Sequence, residues 1–129
     1  MQFMLLIYGD PAAAEAAGDP PASAFQEWPE ATRALAEEGV LLGGDGLQPV
    51  TEAASVRHRA GDELVTDGPF AETKEALLGY YLLDVPDRDT ALGWAARMPM
   101  VHWGTVEVRA IMESPASASA MLGDSQSAA

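Results

Sequence analysis

Apolar side chains fill both alternating faces of two short runs, Phe3–Tyr8 and Leu78–Val85. A run without a polar face predicts a strand covered on both sides. Two further runs alternate instead. In Ala54–Arg59, Ala54, Val56 and His58 share one face, and Ser55, Arg57 and Arg59 share the other. In Gly104–Ile111, Val106, Val108 and Ala110 alternate with Thr105, Glu107 and Arg109. Alternation predicts half-exposed strands. Ala60-Gly61-Asp62 can turn the chain into Glu63–Thr66 and close a hairpin on Ala54–Arg59.

Helical spacing occurs twice. Phe25, Trp28, Thr32 and Leu35 form one stripe. Ser23 with Gln26 offers a capping box before it, and Gly39 a C-cap after it. Pro29 either kinks this helix or marks its true first turn. Ala91, Leu92, Ala95 and Met98 predict the buried side of a second helix, capped by Asp87 or Asp89 and ended by Pro99. Asp10–Ala22, rich in Pro, Gly and Ala, reads as a loop. Gly43–Gly46 reads as a turn. The Ser/Ala-rich stretch 114–129 predicts a disordered tail, leaving 1–113 as one domain.

The order is βα, then strands, then αβ. This predicts an α+β fold of the split βαβ, ferredoxin-like kind, with an antiparallel sheet and two helices on one face. Right-handed crossovers place the first and third main strands centrally. Those are the two runs apolar on both faces; Ala54–Arg59 and Gly104–Ile111 then fall at the edges. Two helices cover only one face of such a sheet. The other face predicts a homodimer, with two copies packed sheet to sheet.

Composition narrows the function classes. The 129 residues suit one core. There is no cysteine, so disulfides, thiol catalysis and thiolate metal sites are excluded. A net charge of −13 repels phosphate backbones and anionic lipid, so neither nucleic acid nor a membrane surface is an expected partner. Phe3–Tyr8 is too short for a signal or a span, and the expected compartment is the cytoplasm. Walker, GxGxxG, GxSxG and HExxH motifs are absent, and the two histidines lie far apart in sequence. No cofactor and no metal are expected.

Candidate chemistry gathers in Thr66–Tyr81. Asp67 ends a strand before Gly68-Pro69, where a carboxylate raised in pKa by burial can act as a base; an Asp in this position equally serves as a turn acceptor. Lys74 is the only lysine in the chain. With Glu72 and Glu75 it can bind an anionic substrate group, or form a structural ion pair. Tyr8 and Tyr80 place two phenols near one sheet end, as pocket lining or as packing. His58 and His102 are candidate acid–base partners of Asp67, or structural residues.

The run Asp67-Gly68-Pro69-Phe70-Ala71-Glu72-Thr73-Lys74-Glu75, followed by Gly79-Tyr80-Tyr81-Leu82, resembles the signature of the YCII-related family in its DGPF-motif branch. The resemblance extends to Phe3–Gly9, Gly39-Val40, Gly44–Leu47, Ala91–Ala96 and Val106–Arg109, and covers roughly residues 1–113. It implies a dimeric α+β barrel. It also implies kinship with isomerases, dehalogenating enzymes and cofactor-free monooxygenases. Some members are encoded beside, or fused to, extracytoplasmic-function sigma factors, and in one branch a His–Asp pair is the proposed catalytic unit. Asp67 matches that aspartate.

Three readings therefore stand side by side. The first is a dimeric small-molecule binder or acid–base enzyme, with a pocket at Asp67–Glu75. The second is a regulatory or accessory protein acting through protein contacts, with a sigma factor as partner by family analogy. The third is a purely architectural motif at the dimer joint.

Overall fold

The computed structural model describes residues 1–10, 21–69, 74–113, 118, 121 and 122, and only the backbone of 21–27. The elements run β1 (Gln2–Gly9), α1 (Pro21–Glu37), β2 (Leu41–Gly46), β3 (Ala54–Arg59), β4 (Asp62–Asp67), β5 (Ala76–Asp84), α2 (Arg88–Arg97) and β6 (Gly104–Ala110). Short 3-10 turns, Val50–Glu52 and Pro99–His102, precede β3 and β6. No helix among the described residues is long and apolar enough to cross a membrane.

The main sheet has the order β2-β5-β1-β6, and all three pairings are antiparallel. With its two helices this is the α+β, ferredoxin-like arrangement the patterning predicted. The doubly apolar runs are the central strands β1 and β5. Their buried positions alternate strictly: Phe3, Leu5 and Ile7 on β1, Tyr81 and Leu83 on β5. Ala31 and Leu35 of α1, and Ala91, Trp94 and Ala95 of α2, close over that face to form the core. Burying a leucine such as Leu5, Leu35 or Leu83 contributes about 2 kcal/mol.

One edge strand differs from expectation. Gly43–Gly46 is not a turn but part of β2, which pairs with β5 from Leu41 to Gly46. Ala54–Arg59 is not the edge of the main sheet; it pairs with β4 in a separate two-stranded hairpin. Its face assignment also inverts. Val56 is 60% exposed and His58 is exposed, whereas Ser55 and Arg57 are half-buried. Alternation fixes which residues share a face, but which face is covered depends on packing.

The helices follow their signals with three adjustments. Helix α1 begins at Pro21, so Ser23 lies inside it rather than capping it, and Pro29 is also internal. Residues 11–20 of the expected loop lie outside the described residues. Gly39 ends α1 with a φ of +74° and an N–H bond to the Ala36 carbonyl, while the Val40 N–H bonds the Leu35 carbonyl. That pair of bonds makes a Schellman stop. In α2, Asp87 is the cap, with its carboxylate accepting from the Thr90 N–H at 2.8 Å and the Thr90 hydroxyl at 2.7 Å. Leu92 is 38% exposed, and Trp94 takes the buried place expected of it. Of the tail, only Ala118, Met121 and Leu122 are described, all exposed.

The opposite face of the sheet carries Met4, Leu6, Tyr8, Tyr80 and Leu82, all half-buried. The helices pack against the other face, so this one presents a broad apolar centre. Register places Asp45, Tyr80, Leu6 and Glu107 in one row, and Leu82, Met4 and Arg109 in the next.

Candidate functional site

A cleft of about 1020 Å³ opens on the helix-covered face, between α1, β2 and the segment that follows β2. Its position follows from the sheet edge. Strand β2 has Gly44 and Gly46 turned to this face, beside Tyr81 and Gly79 of β5. Missing side chains leave a shallow floor where a core would otherwise fill. Gly44 has φ +155°, and a methyl there would sit 2.5 Å from the Tyr80 carbonyl oxygen. Only glycine fits that position.

Aromatic walls rise from the floor. Trp28 of α1 rests on Gly79, where an added methyl would lie 2.5 Å from the ring edge. Trp103, just before β6, rests on Gly9 in the same way. Leu78 joins this side through a bulge: Ile7 pairs with Gly79 and Tyr8 with Leu77, so Leu78 is the extra residue. A bulge re-aims a side chain by locally bending and twisting its strand. Leu47, Pro49 and Ala36 complete an apolar lining.

The polar groups are few and specific. The Tyr81 hydroxyl lies 2.8 Å from Thr32 Oγ1 and 3.3 Å from the Trp28 carbonyl, and Thr32 Oγ1 donates to that carbonyl at 2.7 Å. Trp28 and Tyr81 stack at 5.5 Å between centroids, tilted by 48°. With the Thr32 proton on the carbonyl, the Tyr81 proton goes to Thr32 Oγ1. The Tyr81 oxygen is then an acceptor with free lone pairs. Burial pushes its pKa up, against a smaller lowering by the Thr32 bond. The phenol is therefore neutral at ordinary pH and acts as a hydrogen-bonding group. Asp45 borders the cleft, but its carboxylate turns to the Tyr80 hydroxyl, 3.5 Å away on the other face. Arg33 stands exposed at the rim.

The residues singled out in the sequence lie elsewhere. Asp67 is exposed at the base of the hairpin, opposite Ala54. Its neighbour Gly68 is held by the Ala53 carbonyl and by the Ser55 hydroxyl. His58 pairs with Glu63, four residues along β3 from Ala54, or roughly 13 Å from the Asp67 end. His102 is exposed in the turn before Trp103. Lys74 is exposed, and Glu72 lies outside the described residues. Glu75 accepts a bond from the Thr105 hydroxyl at 3.0 Å. Tyr8 reaches Glu107 at 3.5 Å on the open face, where Tyr80 also lies. The structure thus joins Glu75 to β6 and gathers both tyrosines on the open face. It brings neither histidine to Asp67 among the described residues. No group of three metal-ligating side chains occurs among them either.

Residues 1–115 match the YCII-related domain. The chain belongs to the YCII-related family. A relative from Rhizobium meliloti (strain 1021), itself named only as an uncharacterised protein, is 47% identical over 79 residues. That match covers 60% of this chain and 64% of the relative, just under two thirds of its length. The cleft residues Trp28, Thr32, Arg33 and Trp103 of this YCII-related chain were not singled out for chemistry in the sequence. The available signal was the glycine run Gly43–Gly46, together with two tryptophans, one inside α1 and one just before β6.

Proposed function

We propose that this chain is a small-molecule-binding member of the DGPF-motif branch, working as a homodimer through its open sheet face. The observation that carries the binding reading is the cleft. It is concave, largely apolar, walled by Trp28, Trp103 and Tyr81, and supplied with one half-buried hydroxyl pair. Ligand sites have this composition, with a few fixed polar groups in an apolar concavity. Binding without turnover is the favoured form. Acid–base chemistry by a His–Asp pair at Asp67 would need an imidazole beside it, and His58 stands at the far end of its hairpin; a lone carboxylate base would need burial, and Asp67 is exposed.

The test uses the tryptophans themselves. Two of the three line the cleft, so a flat apolar ligand should change intrinsic fluorescence on binding. Gly46→Leu is the blocking variant. A side chain there starts in open space, with nothing within 4 Å of its Cβ. The variant should fold normally and lose the response. A fluorescence change that persists in Gly46→Leu would place the ligand elsewhere. An Asp67→Asn variant that binds as wild type would separate the motif from ligand capture.

A further inference from the structure

We infer that the cleft selects an aromatic or similarly flat apolar ligand that carries a carboxylate, with Arg33 as the residue that recognises the anion. This rests on the binding reading above and adds the ligand's charge. The ring end follows from the lining. Trp28 and Tyr81 already meet in a tilted ring contact, and Trp103 and Leu78 extend the same apolar surface. Flat faces offer a flat ligand contact area and offset stacking together.

The anionic end follows from charge. Among the described residues Arg33 is the one basic residue in the lining, in a chain with a net charge of −13. No carboxylate among the described residues forms an ion pair with it. Glu30 and Glu37, near it on α1, are exposed and outside ion-pair distance. Among the described residues, the carboxylate that borders the cleft, that of Asp45, is turned away to Tyr80. A guanidinium fork at the mouth of an apolar cleft matches a planar carboxylate in two parallel hydrogen bonds. The rest of the molecule repels anions, so a carboxylate would be held against the general field. Unspecific association with this protein would favour the neutral compound instead.

The experiment compares matched pairs by calorimetric titration: naphthalene-2-acetate against naphthalene-2-acetamide, and 4-phenylbutyrate against 4-phenylbutyramide. Each pair differs in charge but scarcely in shape. The acids should bind wild type at least roughly fivefold tighter than the amides, the scale of one partly exposed ion pair with good geometry. Arg33→Gln should bring the acids down to the amides, and Arg33→Lys should restore part of the preference. Acids that bind no tighter than amides would overturn the inference, and so would a preference that survives Arg33→Gln. If the amides then still bind and Gly46→Leu abolishes that binding, the cleft stands and only the anion assignment falls. If no acid or amide binds, the cleft reading falls and takes this inference with it.

Discussion

The Tyr81 phenol donates to Thr32 Oγ1 at 2.8 Å, and so ties the centre of the sheet to α1. Tyr81→Phe keeps the ring and removes that bond, while Thr32 retains its own bond to the Trp28 carbonyl. The expected cost is about 1 kcal/mol, measured by urea unfolding. The phenol also sets a pH limit. Its folded pKa lies above the ordinary 10.0, raised by burial, so the unfolded chain loses this proton first as the solution becomes alkaline. Its contribution is complete below the ordinary value and is lost as pH rises through the folded one. A phenolate absorbance titration should show a late phase that Tyr81→Phe removes. Residue roles were the least legible part of the sequence. Asp67, His58 and Lys74 stood out by type, yet all three are exposed. Thr32 and Tyr81 look ordinary along the chain. Their importance comes from a contact across 49 positions that no local spacing encodes.

Elements were legible where one local rule decided them. Strands β1 and β5 announced themselves by apolarity, and three of the four helix ends by Gly39, Asp87 and Pro99; the start of α1 did not. Gly39→Ala tests the first of these stops. A methyl there meets nothing within 4 Å, so the penalty is backbone strain alone, about 1 kcal/mol. Urea unfolding should show it with ligand binding intact. Asp87 offers a pH test at the second helix. Bonds from the Thr90 hydroxyl and then the Thr90 N–H hold its carboxyl below the usual range. Its stabilisation is present above that range and is lost as pH falls through the folded value. Asp87→Asn should keep the cap and flatten the acid side of the stability curve. Strand β2 was misread for a physical reason. Its glycines carry no hydrophobic pattern because the space above them is the cleft, and its pairing with β5 lies far away in the chain.

For the whole molecule, the pattern of doubly apolar strands implied both the central pair of the sheet and the uncovered face. Met4, Leu6 and Leu82 form the centre of that face. A charge placed there should disrupt the proposed dimer without touching the core. Leu6→Arg should halve the mass seen by sedimentation while leaving far-ultraviolet circular dichroism intact; a wild type already monomeric at micromolar concentration would refute the dimer. Net charge adds a second signature. Two copies at −13 repel, so added salt should tighten their association. The cleft was not legible at this scale. It arises where one helix stands over a glycine-floored edge, a result of packing rather than of pattern.

Trp28 lying on Gly79 has a consequence for selectivity. The ring edge occupies the place of a side chain, so growth at position 79 cannot simply fill the floor. Each added atom would push the indole sideways, and the indole is a wall. Gly79 therefore works as an aperture stop: one position on a central strand sets the calibre of the opening. Ligands of graded width, titrated against Gly79→Ala, should show the widest lost first.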